Sequence, residues 1–267
     1  MNRIRAVAIV FLLFVAMAAL TAELWVPSSY EVQFRTAFDA APSKQFPLGT
    51  DALGRDRLAR LIYGTRVSLL LAPAAAIFSC ATAALLGISA GWAGGFAEVS
   101  IMSAADLFLS VPWMLSLLMV RAWLPLNVSP VASVAITFAL LGALGWAAPA
   151  RVVRAAAGRL KTSDFILIAE AHGIARWRVL WRHVVPNLMP ILLAQFWIAV
   201  PVYILAETTL GMLGLGIAEP LPSWGGLLRE IEGSDVLSHL WLLAPALLLA
   251  AVTGSLQLLR PRQDNPL

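Results

Sequence analysis

Charge disappears from this chain in long stretches. Ala6–Ala22, Val67–Ala97, Ala122–Ala150, Asn187–Ala206 and Leu240–Leu259 contain no Asp, Glu, Lys or Arg. Leu107–Val120 is also apolar and becomes a full-length run if it starts near Ile101 and accommodates Asp106. A helix crossing the hydrocarbon core needs ~20 mostly apolar residues. The pattern therefore predicts six membrane-spanning helices, the second stopping near Gly91 and the fourth starting near Val128. The runs are too long and too continuous for barrel strands, the other structure that satisfies the backbone in lipid. The first run, 17 residues after Arg3 and Arg5, exceeds the ~7–15 of a signal-peptide core, and Leu20 spoils a cleavage site after Ala22. It is expected to persist as a helix.

Composition agrees. The 267 residues are 60% hydrophobic and 13% charged, with a mean hydropathy of +0.82. Soluble domains run at about 45–50% apolar and about 25% charged, so lipid is the solvent for most of this surface. The net charge of +4 does not form the basic face that nucleic-acid binding needs, because the arginines fall between apolar runs. With six spans both ends share one side. That side, which also carries the Arg151–Arg182 segment, holds 11 of the 19 basic residues. The excess assigns both termini to the cytoplasm. The expected organisation is an N-terminal helix (1–26), an outer loop (27–66), a five-helix core (67–259) with an inner loop at 151–186, and a short cytoplasmic tail (260–267). No repeat of 20–50 residues stands out.

The inner loop reads RVVRAAAGRLKTSDFILIAEAHGIARWRVLWRHVVPNLMP. Ser163–Ala171 is expected to be helical, with Ser163 or Asp164 as its cap. Gly173 permits a sharp turn, and Trp177, Leu180, Trp181 and Val184 then recur at helical spacing among Arg176, Arg178 and Arg182. Pro186 and Pro190 mark the start of the next span. Two readings fit this hairpin: a basic amphipathic element lying on the anionic inner leaflet, or a docking lever gripped by a cytoplasmic partner.

The stretch from Ala171 through Gly173 to Val185, Pro186 and Asn187 resembles the signature loop of ATP-binding-cassette importer permeases. "RHVVPNLMP" is similar to the version in dipeptide, oligopeptide and nickel permeases. "FPLGTDALGRDRLARLIYGTRVSLLLA", with Gly49, Asp51, Gly54, Arg55 and Asp56, resembles the family's segment after the first helix. "AETTLGMLGLGIAEPLPSWGGLL", with Glu207, Gly214, Gly216 and Trp224, resembles the segment between its last two helices. Phe46 stands where the family often has His, and Leu167 where it often has Glu.

The resemblance implies an all-α integral membrane protein of the type I importer-permease fold in the bacterial inner membrane. It implies a non-catalytic subunit that pairs with a second, related permease and with two cytoplasmic ATPases carrying ATP and magnesium. An extracytoplasmic binding protein would deliver peptide, a nickel complex or a related small solute. Ala169, Glu170, Ala171, His172, Gly173, Ile174, Ala175 and Arg176 would form the coupling helix that follows the ATPases. No cofactor of its own is implied. The alternatives are an ATP-independent secondary transporter or channel, which should show an inverted repeat or midplane charges, and a membrane enzyme, for which no catalytic pair is visible.

Single residues carry less. Lys44 and Lys161 are the only lysines, and neither ends a phosphate-binding loop. His172, His183 and His239 lie outside any metal spacing and read as surface residues; no metal site is expected. Cys80 reads as a small buried apolar side chain. Asp106 is expected to pair with a neighbouring helix or helix terminus, Glu207 to open a re-entrant or surface-lying segment after span five, and Arg121 to snorkel to the outer interface. Trp25, Trp92, Trp123, Trp146 and Trp241 read as interfacial anchors.

Overall fold

A computed structural model describes residues 3–125, 128–232 and 239–260. The described residues fold into helices and connecting loops, with two isolated bridge pairs in the outer loop. The helices are α1 (Arg3–Leu20), α2 (Ala22–Trp25), α3 (Arg57–Ala93), α4 (Gly95–Ser110), α5 (Trp113–Trp123), α6 (Pro130–Leu144), α7 (Ala147–Lys161), α8 (Asp164–Ala171), α9 (Arg176–Val179), α10 (Val185–Met212), α11 (Trp224–Arg229) and α12 (Ala244–Leu258). Five stretches are long and apolar enough to cross a membrane, and six when α4 and α5 count as one span bent by 82°. Arg5 donates to the carbonyl of Arg260 at 3.2 Å, so the first helix begins beside the end of the last. Most of the expected tail, 261–267, lies outside the described residues.

The second span is longer at both ends than apolarity alone suggests. Asp56 caps α3 by accepting from the Leu58 amide at 2.9 Å, so the helix starts ten residues before the uncharged run. At about 1.5 Å per residue its 37 residues reach about 55 Å, well beyond the ~30 Å hydrocarbon core. Gly91 does not stop it. Gly87 and Gly91 form the seam against α7: an added Cβ would lie 2.6 Å from the Ala150 carbonyl at one and 2.6 Å from that of Arg154 at the other. The turn falls at Gly94, with φ 69°.

The third span is not one helix. It breaks at Val111–Pro112, where proline cannot continue the α4 hydrogen bonds. The fourth also changes register, at Gly145–Trp146, and α7 continues to Lys161, ten residues into the expected inner loop. The fifth begins as α9, passes through a π-helical turn at Leu180–Val184, and runs on as α10 past the expected end at Ala206.

The main core gathers Leu61, Ala76, Leu117, Phe138, Ile204 and Trp224 from α3, α5, α6, α10 and α11. A second cluster, Val153, Ala157, Ile166, Val179, Val184 and Leu188, ties the inner hairpin to α7. The remaining apolar surface faces outward, as it must where the solvent is a bilayer; only 17% of the α1 window is buried within the chain.

Candidate functional site

The hairpin at the inner end is shaped by one backbone device. The Ile174 amide reaches back to the Ala169 carbonyl at 3.2 Å, and the Gly173 amide to that of Glu170 at 2.9 Å. This Schellman pair ends α8 and requires a left-handed residue, supplied by Gly173 at φ 73°. Ser163 does stand at the N-cap position, yet its hydroxyl donates back to Leu160 rather than capping α8. Ile166, Ala169 and Val179 face α7 and are buried. The apex, Ala171 to Ala175, is exposed, and so is Arg176, which faces Glu170 across the turn at 3.8 Å. Trp177 and Trp181 are 62% and 66% exposed, and Phe165, Leu167 and Ile168 are exposed as well. Pro186 lies in the first turn of α10. Ala169–Ala171 close α8, His172–Ala175 form the turn and Arg176 opens α9, so the expected coupling stretch Ala169–Arg176 is not one continuous helix.

At the opposite end the outer loop folds into a knot of charge. Arg60, in the first turn of α3, is fully buried and touches three carboxylates: Asp51 at 2.7 Å, Glu230 at 2.9 Å and Glu219 at 3.0 Å. Arg55 holds Asp51 and Glu219, each at 2.6 Å. Arg57 reaches Glu230 at 3.5 Å and donates to the Thr50 carbonyl at 2.9 Å. Three guanidinium groups thus meet three carboxylates contributed by two distant stretches of sequence. Buried charges persist where they are paired in this way; of the Arg60 nitrogens, Nε alone is buried without a hydrogen-bond partner. Burial, reinforced by Asp51, pushes Glu230 up to about 7 against the pull of Arg57 and Arg55. The same desolvation raises Asp56. Gly49 and Gly54 turn the loop, and Gly54 accepts the Phe34 amide at 2.9 Å. A cleft of about 690 Å³ opens beside the knot, between the loop and Gly214, Gly216 and Arg229.

Beneath the knot the segment after α10 is fixed by close backbone contact. A Cβ on Gly211 would lie 2.6 Å from Gly225, and one on Gly216 would lie 2.5 Å from Gly211. Trp224 is fully buried and donates from Nε1 to the Thr65 hydroxyl at 2.9 Å. Glu207 does not open this segment. It sits inside α10, fully buried, with Ser68 Oγ donating to it at 3.4 Å from α3. Because α10 continues to Met212, the segment begins at Leu213, and its stretch 233–238 lies outside the described residues.

Asp106 pairs with Arg151 at 2.9 Å, linking α4 to α7; the neighbouring Glu98–Arg154 pair links the same helices. Arg121 does not snorkel. It is 1% exposed and donates to Ser133 Oγ at 3.3 Å and to the Gly216 carbonyl at 3.2 Å. Trp146 is buried against Phe108, with ring centroids 5.4 Å apart, instead of sitting at an interface. No spacing rule finds these contacts, because the Gly216 partner of Arg121 lies 95 residues away.

A bundle of five membrane-length helices, six with the bent α4–α5 pair, carrying a charge-locked loop and an exposed apolar hairpin is a multi-pass membrane protein. The family model described as binding-protein-dependent transport system inner membrane component matches residues 83–264, and the chain belongs to that family. The oligopeptide transport system permease protein OppC of Haemophilus influenzae is 30% identical over 250 residues, which cover 93% of this chain and 78% of that protein. OppC of Escherichia coli is 30% identical, covering 92% and 80%. The dipeptide transport system permease protein DppC of Bacillus subtilis is 28% identical, covering 90% and 73%.

Proposed function

We propose that this chain is one of two permease subunits in an ATP-driven importer of peptides. The observation that carries this reading is the inner hairpin. Its outward surface combines Phe165, Leu167, Ile168, Ile174, Trp177 and Trp181 with Arg176 and Arg178, while its inward surface is bolted to α7. An element so arranged transmits a push from a partner into α7 and α10 without being peeled away. Peptides are the cargo named for the relatives above. The chain contributes conformational change and no covalent chemistry. Nucleotide and magnesium belong to two cytoplasmic ATPase subunits, a second permease completes the path, and a binding protein delivers cargo from outside. ATP-driven closure of the ATPases carries the hairpin and rocks the bundle between inward-open and outward-open states. Both termini lie on the cytoplasmic side with the hairpin.

The test is reconstitution of the co-expressed permeases and ATPases in liposomes with the binding protein and a radiolabelled tripeptide. ATP-dependent accumulation that stops when the ATPases are omitted is expected. Accumulation driven by an ion gradient without nucleotide would overturn the proposal.

A further inference from the structure

A helix break and a helix slip lie close together. The break is Val111–Pro112 between α4 and α5; the slip is Gly145–Trp146, where α6 passes into α7 with both residues keeping helical dihedrals. They converge on a hollow of about 200 Å³ whose wall includes Leu109, Trp113, Gly145, Gln195, Ile198 and Tyr203. Gln195 is the eleventh of the 28 residues of α10, well inside the span. Tyr203 rests its hydroxyl in the notch left by Gly145, where any Cβ would collide with it. Its ring lies 6.2 Å from that of Trp113.

Non-helical backbone at membrane depth persists only where protein or a wet cavity covers it. An intramembrane carboxamide is likewise out of place against acyl chains, and Gln195 makes no hydrogen bond to any described residue. Secondary transporters build their substrate contacts at broken helices near midplane, and the α4–α5 span is broken in that way. The wall carries no charged side chain. A cavity of ~150 Å³ holds a benzene ring, so the hollow has room for one side chain, not for a whole peptide.

We infer that this hollow is the chain's own cargo contact, and that it receives one uncharged side chain of a peptide in transit. The inference rests on the peptide-import reading above. Trp113, Tyr203 and Ile198 supply apolar and aromatic surface, and the Gln195 amide is free to serve the peptide backbone or a carboxamide side chain. A carboxylate or ammonium finds no counter-charge there and is disfavoured.

The experiment uses the complete transporter in liposomes and a tripeptide whose middle residue is the diazirine analogue of leucine. Irradiation during turnover is expected to attach the peptide to Ile198 or its neighbours in the hollow, mapped by mass spectrometry. An Asp-centred tripeptide is expected to compete at least tenfold less well than a Leu-centred one for this adduct. Ile198→Trp fills the hollow and is expected to lower adduct and uptake together by about tenfold while ATPase co-purification is unchanged. If that variant fails to assemble, Leu109→Trp carries the same test from the facing helix. Import by the wild type with adducts only outside the hollow overturns the inference and leaves the import reading standing. So does labelling of Ile198 by a diazirine phospholipid in the resting complex, or a disulfide from Ile198→Cys to the partner permease. Absence of any peptide import by the wild type sinks the import reading itself.

Discussion

The outer knot and the inner hairpin are built on the same backbone turn and put it to opposite uses. Gly173 ends α8 with φ 73°, and Gly214 ends α10 with φ 75°. Each lies in the same pair of return hydrogen bonds; at the outer end Leu215 reaches Leu210 at 2.8 Å and Gly214 reaches Gly211 at 3.0 Å. Their surroundings differ. A Cβ on Gly214 would meet Arg229 Nη1 at 2.7 Å, whereas one on Gly173 would meet nothing within 4 Å. Around Gly214 the chain has closed its backbone contacts. Around Gly173 it leaves tryptophan, isoleucine and phenylalanine exposed. The knot is a finished piece of structure, and the hairpin leaves an apolar surface uncovered by the described residues.

The strongest way to break this contrast is to open the knot. Arg60→Met leaves Asp51 with Arg55 as its one remaining arginine partner in a buried site and withdraws a partner from Glu219 and Glu230. Removing one partner from a buried ionic cluster costs about 3–5 kcal/mol. The purified subunit should lose stability by that order, read as a lowered thermal midpoint and early proteolysis within the outer loop. An unchanged midpoint would mean that the knot is decoration.

A gentler perturbation is pH. Glu230 titrates near 7 when folded, against 4.5 unfolded, because burial disfavours its charge. A carboxyl raised in this way contributes stability that is complete below about pH 4.5 and is lost as pH climbs through 7. Its side chain is 22% exposed, and the raised value corresponds to at most about 3 kcal/mol. The thermal midpoint should therefore fall between pH 5 and pH 8 by more in the wild type than in Glu230→Gln. Equal slopes in the two proteins would remove Glu230 from the account.

At the inner end the sign of the experiment reverses: binding should change while folding does not. Trp177→Ala with Trp181→Ala deletes exposed rings, so the thermal midpoint of the isolated subunit should hold. If the rings anchor an ATPase, as aromatic hot spots do, each costs about 2 kcal/mol of association. That is roughly a thirtyfold weaker grip per ring, measurable by titrating detergent-solubilised permease with the ATPase subunit. Intact affinity would return the hairpin to the simpler role of a surface helix on the lipid headgroups.

These tests follow the line between what the sequence discloses and what it hides. The spans are legible because lipid rewards one property, and Asn187–Ala206 shows it without help from the rest of the chain. The hairpin is legible because a glycine between two periodic stretches is a local signal. The knot is half legible: Asp51, Arg55 and Asp56 stand in a recognisable string, but Glu219 and Glu230 arrive from more than 150 residues away. Arg121 and Trp146 are misread for the same reason. Arginine or tryptophan near a span end has an interfacial default, and only tertiary contact with Gly216 or Phe108 cancels it. The broken third span is hidden in a different way, since Pro112 signals a kink and not an 82° bend.

The smallest effect gives the finest comparison, because it separates backbone shape from side-chain bulk. Gly173 has open space around it, so substitution there meets no clash; the cost is the left-handed backbone alone. For an L residue that conformation costs about 1–2 kcal/mol, less for asparagine, whose short amide tolerates it. Gly173→Asn should therefore keep most transport, and Gly173→Val should lose several-fold more, with both variants inserting normally. The quantity to follow is tripeptide uptake per ATP hydrolysed. A lever whose angle matters loses coupling before it loses ATPase binding, because the return bonds from Gly173 and Ile174 to Glu170 and Ala169 set how α9 leaves α8. If valine and asparagine behave alike at this position, the angle is not what carries the stroke. The rigid seam of Val153, Ala157 and Ile166 beneath the turn would then be the part that moves the bundle.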